Sequence, residues 1–209
     1  MSKKERTVRS KATRTRFITV TAMLSAVAFV LQYIEIPVPF MPPFIKFDFS
    51  DLPALIGAYA YGPLCGVIIS LIKNVLHLPF GSTGGVGELS NFILGAAFSA
   101  VAGLVYKHRK SKASAFVGGI VGAAAMGLIS IVSNYFVVYP VYYNFMPKEV
   151  IIEAYQTILS VVSSYTLPGI LACLLIFNLP FTILKGLIDV VICLLIYKPL
   201  SPFMKGFED

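Results

Sequence analysis

Long apolar runs alternate with short polar breaks along this chain, and the run lengths set the architecture. Apolar stretches cover about 17–37, 52–78, 89–106, 114–142 and 167–197. A helix needs about 20 residues to cross a hydrocarbon core. The second run is too long for one crossing and carries Gly62-Pro63 near its middle, where proline removes a backbone donor and breaks a helix. It is expected to form two short helices, 51–61 and 63–78. The expected fold is all-α: an integral membrane bundle of six transmembrane helices at 17–37, 51–61, 63–78, 88–106, 114–142 and 167–197. These make one membrane domain, 17–199, between a basic tail, 1–16, and a second tail, 200–209.

Composition supports the membrane reading. Hydrophobic residues make up 57% of the 209 and charged residues 13%, whereas a soluble domain is about a quarter charged. The net charge of +7 is informative through its placement. Lys3, Lys4, Arg6, Arg9, Lys11, Arg14 and Arg16 precede the first run, and Lys107, Arg109, Lys110 and Lys112 form a second cluster. Six crossings put both clusters, together with Lys198 and Lys205, on the cytoplasmic side and leave only Lys46 and Lys148 outside. Five crossings would separate the clusters, against the positive-inside rule. Both termini are therefore expected in the cytoplasm, and nucleic-acid binding is a poor second explanation of the charge. The first run could be cleaved as a signal peptide after Ala26-Val27-Ala28, but cleavage there would halve a full-length span. Cys65, Cys173 and Cys193 lie inside apolar runs without metal-ligand spacing.

Several polar groups fall where lipid is expected. Asn178, Thr182, Lys185 and Asp189 stand at i, i+4, i+7 and i+11, on one helix face. Ser70, Lys73, Asn74 and His77 repeat this spacing in the third helix, and Asn134 sits near the outer end of the fifth. An ionisable group near the membrane centre costs about 2.5–3.5 kcal/mol on insertion scales, so these stripes are expected to face inward. Either they line a cavity, or Lys185 simply pairs with Asp189 and Lys73 with Glu35 or Asp51. His77 and His108 read as a hydrogen-bonded interfacial residue and a solvated loop residue.

The connections carry signals too. Residues 37–51 are rich in proline and aromatics and read as an ordered, lid-like segment, with Ser50 an expected N-cap and Asp51 at the positive end of the next helix. Residues 143–167 are amphipathic, consistent with a short interfacial helix. The stretch HLPFGSTGGVGELSNF, 77–92, has neither the lysine of a phosphate-binding P-loop nor the third glycine of a dinucleotide fingerprint. It is read as an outer loop whose Gly81–Gly87 segment acts as a hinge. The zinc-protease and serine-hydrolase motifs are absent and the membrane segments carry no paired carboxylates, so no enzyme is expected. With no ATPase motif and no pseudo-repeats, uphill transport would need a partner. Ala22-x-x-x-Ala26, with Ser25 and Ala28 nearby, is a small-residue seam suited to close helix approach.

Taken together, TAMLSAVAFVL (21–31), FDFSDLPALIGAYAYGPLCGVIISLIKN (47–74), VGELSNF (86–92), SNYFVVYP (133–140) and LPFTILKG (179–186) resemble the substrate-binding S components of energy-coupling-factor (ECF) vitamin transporters, in particular riboflavin-specific ones. The resemblance covers the chain from Thr19 onward. It implies six helices in a bacterial cell membrane and an outward cavity formed by the last three helices and the first loop. It implies riboflavin as transported ligand, with no cofactor. It also implies a transmembrane coupling subunit meeting Ala22 and Ala26, and two ATPases. The flavin-binding groups map onto Asn134, Lys185 and Thr182, where Thr182 departs from the carboxylate or carboxamide usual in the family. Phe44, Phe47 and Tyr135 are candidates for the apolar wall, Asp48, Glu88 and Asn91 for the ribityl end, and Asn178 for a further polar contact. The alternatives are an S component for another vitamin or flavin-related compound, and a membrane adaptor or intramembrane enzyme.

Overall fold

The computed structural model describes the backbone of residues 3–81, 84–161 and 163–205, and the side chains of residues 14–81, 84–161 and 163–196. Seven helices are present among them. They are α1 (Lys3–Gln32), α2 (Asp51–Tyr61), α3 (Pro63–His77), α4 (Val86–His108), α5 (Lys112–Ser133, continued through Asn134–Val138 and Tyr139–Tyr142), α6 (Lys148–Ser160) and α7 (Ile170–Cys173, Leu174–Asn178 and Leu179–Lys205). Among the described residues five stretches are long and apolar enough to cross a membrane: Arg14–Gln32, Pro63–Phe80, Val86–His108, Lys112–Tyr142 and Ile170–Ile196. At 1.5 Å per residue α2 rises only about 17 Å, short of the about 30 Å hydrocarbon core.

The break between α2 and α3 falls where the sequence places it. Gly62 has φ 97° and ψ 169°, a conformation that L side chains rarely adopt, and Pro63 opens α3 at a position where its missing N–H is no loss. The other boundaries differ in instructive ways. The first helix ends at Gln32, not 37, because the proline-rich stretch that follows leaves the helix and pairs as a short antiparallel ladder, Ile36 with Phe47 and Pro37 with Lys46. Hydropathy alone could not see that end. At the other terminus the helix extends back through the basic segment to Lys3, since Lys, Arg and Ala favour helix and no glycine or proline interrupts them. Residues 1–2 and 206–209 of the two expected tails lie outside the described residues.

The α2 helix is the centre of the bundle: every residue from Asp51 to Tyr59 is buried. Leu52, Leu55 and Tyr59 pack with Leu94 and Phe98 of α4, Ala123 and Met126 of α5, and Val190 and Cys193 of α7. A second cluster surrounds Ile151 and Tyr155 of α6, both fully buried, together with Tyr139, Leu167, Leu174 and Phe177. The amphipathic 143–167 connection thus supplies a docked helix.

Both α5 and α7 contain a π-helical stretch, Asn134–Val138 and Leu174–Asn178. Each ends two residues before a proline, Pro140 or Pro180. A mid-helix proline lacks the N–H for the i−4 bond, and its ring crowds that carbonyl; a wider turn relieves both, and such bulges gather at functional sites.

The α5–α7 contact depends on Gly119, where an added Cβ would lie 2.5 Å from Val190 Cγ2. Gly119→Val is expected to destabilise the protein by about 1–3 kcal/mol through overpacking, read as a lowered unfolding temperature in detergent. An unchanged transition would contradict this packing.

Candidate ligand-binding site

The loop 33–50 folds over one end of the bundle and is tied down from below. Asp48 accepts from the backbone N–H and the hydroxyl of Ser50, the former at 2.8 Å. Lys73 of α3 donates to Ser50 Oγ at 2.5 Å and to Asp51 Oδ1 at 2.6 Å. Lys185 of α7 donates to Asp48 Oδ2 at 3.0 Å and lies 3.1 Å from Asp51 Oδ2. All of these side chains are buried. Gly95 of α4 makes room for the cluster, since a Cβ there would collide with the Asp51 carboxylate. Ser50 holds the N-cap position of α2 but makes no side-chain cap bond, because its hydroxyl is engaged with Asp48 and Lys73. Lys185 does not pair with Asp189, whose carboxylate oxygens both lack hydrogen-bond partners among the described residues. Glu35 pairs with Lys46, leaving Asp51 as the partner of Lys73.

Above this cluster lies a cavity of about 310 Å³, within the range of about 300–1,000 Å³ usual for small-molecule sites. The described residues around it come from the end of α1, loop 33–50, α3, the start of α4, α5 and α7. The cavity therefore draws on more of the chain than the last three helices and the first loop. Of the sequence-predicted residues, Asn134, Thr182, Asn178, Asp48, Phe44, Glu88 and Asn91 line it.

Three others do not. In Lys46–Phe47 the strand alternation turns Lys46 and Asp48 to the cavity and Phe47 away, against Phe49 at 4.8 Å between ring centroids. Tyr135 follows Asn134 around the helix and faces outward, 41% exposed, beside Phe136. Lys185 stands one turn beneath Thr182, and its amine is taken by Asp48 and Asp51.

The two asparagines delivered by the π stretches are held by neighbours. Ser90 donates to Asn134 Oδ1 at 3.2 Å. Tyr155 reaches in from α6 to donate to Asn178 Oδ1 at 2.6 Å, and its oxygen also lies 2.6 Å from the Tyr139 hydroxyl. The Ser90 bond leaves the Asn134 NH2 available to a ligand acceptor, whereas Asn178 is also hydrogen-bonded to the Tyr139 hydroxyl. Gln32 at the end of α1 was not foreseen. Its NH2 donates to Asn74 at 3.1 Å, while its buried Oε1 lacks a partner. Such an orphan on a cavity wall is an open acceptor site. Its only sequence signal was a polar residue ending an apolar helix. At the mouth His77 Nδ1 meets Glu88 Oε1 at 2.8 Å, so His77 belongs to the cavity and not merely to an interface. Phe44, with Tyr142 and Tyr155 at 5.8 and 6.0 Å, supplies the aromatic side.

Gly81 and Gly87 also line the cavity, with Gly84 and Gly85 at positive φ between them; Ser82 and Thr83 of the expected hinge lie outside the described residues. Ala22 and Ala26 lie on the exposed face of α1 with Met23, Val27 and Val30, whereas Ser25 and Ala28 belong to its buried face.

Residues 16–197 match the family model described as ECF transporter, substrate-specific component. The chain belongs to that family. The riboflavin transporter RibU of Staphylococcus aureus (strain TCH60) is 35% identical over 190 residues, covering 91% of this chain and 92% of that one. The riboflavin transporter FmnP of Bacillus subtilis (strain 168) is 34% identical, covering 90% and 93%. Among solved structures, the S component of a bacterial ECF transporter superposes with a TM-score of 0.70 at 32% identity, covering 92% of this chain and 99% of the other. These relatives are named as transporters, not enzymes, and with its apolar helices this family member is a membrane protein.

Asp48 lies outside the membrane-crossing segments. Burial alone would push its carboxyl up, but Lys185 and then Lys73 outweigh this and hold it below its ordinary value of 3.8. A carboxyl depressed on folding adds stability above its unfolded pKa, and that contribution is lost as pH falls through the folded value. The unfolding temperature is expected to be level between about pH 7 and 5 and to fall below about pH 4, with a shallower fall in Asp48→Asn. Identical acid limbs would contradict the role of this pair.

Proposed function

We propose that this chain is the riboflavin-capturing S component of an ATP-driven ECF vitamin uptake transporter in a bacterial cell membrane. The observation that carries the reading is the cavity itself. One wall offers amide and hydroxyl groups from Gln32, Asn134, Asn178 and Thr182, another offers the rings of Phe44 and Tyr142, and carboxylates sit at the mouth. An isoalloxazine has a flat body suited to aromatic contact and a pyrimidine edge of carbonyl acceptors and one N–H donor. The NH2 group of Asn134 suits a carbonyl, and the orphan Gln32 oxygen suits a donor. The ribityl hydroxyls then face Asp48, Glu88 and Asn91. Lys185 acts from below by holding Asp48 in place, and the Gly81–Gly87 segment lets the vitamin in and closes over it.

In this reading six helical segments enter the membrane, α2 and α3 forming a hairpin, with both termini cytoplasmic and the cavity open outward. The clustering of basic residues at the end of the bundle opposite the cavity supports it. The exposed Ala22–Ala26 face of α1 docks a transmembrane coupling subunit, and two ATPases supply the energy that this chain has no motif to harvest.

Titration of purified protein with riboflavin is expected to quench flavin fluorescence at a single site. Lys185→Ala, which leaves Asp48 buried without its cation and Asp51 with Lys73 alone, is expected to weaken binding by about 1.5–3 kcal/mol. No quenching at micromolar ligand would remove the flavin reading. Unchanged affinity in Lys185→Ala would separate the ion cluster from the site.

A further inference from the structure

The end of the bundle opposite the ligand cavity holds a second hollow. It is a cleft of about 460 Å³ where the α2–α3 turn meets the end of α4. Gly62 keeps its floor open, since a Cβ added there would meet nothing within 4 Å. Tyr59 and Tyr106, with ring centroids 4.9 Å apart, back it, and the Tyr59 hydroxyl is spent on the Ala115 carbonyl at 2.7 Å. The back of the cleft is therefore aromatic and largely apolar.

Two lysines supply its charge. The α4 helix ends at His108, Arg109 is extended with φ −142° and ψ 103°, and Ser111 caps α5 by accepting from the Ser114 N–H at 3.1 Å. This short exit brings Lys110 to the same cleft as Lys107 and leaves Arg109 and Lys112 outside its lining. Both lining lysines are exposed, no carboxylate is among the described lining residues, and neither lysine has an ion pair among the described residues. Two unneutralised cations beside a hollow attract an anion. The surface next to them is apolar. Leu104 stands one turn from Lys107 on α4, and Leu64, Leu71 and Val75 recur at i, i+7 and i+11 along one face of α3, all of them exposed. A soluble anion would use the lysines alone, whereas a phosphate carried on acyl chains uses both features. A zwitterionic headgroup would bring its own cation against the lysines.

We propose that this cleft is a binding site for an anionic phospholipid, its phosphate held by Lys107 and Lys110 and its acyl chains lying along the exposed faces of α3 and α4. Basic pockets between transmembrane helices on the cytoplasmic side take such headgroups, and the topology proposed above puts this end of the bundle in the cytoplasmic leaflet. The site rests on that topology and not on the identity of the ligand in the cavity.

The test uses the purified full-length protein in a non-ionic detergent, with the Kd of the first bound lipid read by native mass spectrometry for dioleoyl phosphatidylglycerol and dioleoyl phosphatidylcholine. The phosphatidylglycerol is expected to bind at least about fivefold more tightly. In the double variant Lys107→Gln/Lys110→Gln the two lipids are expected to fall within about twofold of each other, while Arg109→Gln/Lys112→Gln, an equal loss of charge outside the lining, keeps the preference. Inorganic phosphate in excess is expected to leave the lipid bound. Equal affinity for the two lipids in the unaltered protein would overturn the proposal and leave the cleft to ordinary boundary lipid or to a protein partner. An equal loss of preference in both double variants would overturn it in favour of diffuse charge, and displacement by inorganic phosphate would overturn it in favour of a soluble anion. The two-lipid comparison on the unaltered protein decides the matter even where a variant fails to fold. None of these outcomes touches the flavin reading, which fluorescence quenching by riboflavin tests separately.

Discussion

Placing several charges inside an apolar bundle is tolerable only if each finds a partner, and that constraint organises this molecule. Asp48, Asp51, Lys73 and Lys185 come from a loop and three different helices, yet their charged atoms meet within hydrogen-bond distance. Removing ions from water costs several kcal/mol each, and good geometry offsets much of that. The consequence is positional. A loop rich in proline has few backbone bonds with which to hold itself over a bundle end, and the Asp48–Lys185 contact spans 137 residues to fix it there. The cavity exists because this roof is held at a set height above α7.

Two prolines contribute the second element of order. Pro140 and Pro180 each force a wider turn just before them, and each turn carries an asparagine to the cavity wall. Tyr155, brought in by the docked α6, then fixes Asn178 at the cavity wall. Helix chemistry and connection packing thereby converge on the same two carboxamides.

Much of this was legible in the sequence for physical reasons. Polar residues at helical spacing, Asn178 to Asp189 and Ser70 to His77, had to face inward because lipid offers them nothing, and all eight are buried. The Gly62-Pro63 break was readable from backbone chemistry alone. What was hidden depended on tertiary geometry. Helical spacing gives a face but not a depth, so Lys185 looked like a wall residue when it stands a turn below the wall. A two-residue strand is too short to announce its alternation, so Phe47 was placed on the wrong side. Gln32 gave only a weak signal, because one carboxamide ending an apolar helix is common at a membrane boundary.

The central claim, that a charge pair fastens the roof of the cavity to α7, is tested most directly by a double-mutant cycle. Unfolding free energies of the unaltered protein, Asp48→Asn, Lys185→Met and the double variant give the coupling of the two side chains without reference to any ligand. A coupling of at least about 1 kcal/mol is expected, because Lys185→Met strands the buried Asp48 carboxylate and Asp48→Asn leaves Lys185 with Asp51 alone, costs that the double change removes in part. Strictly additive effects would mean that the loop is held by other contacts and that the ion cluster is incidental to the site.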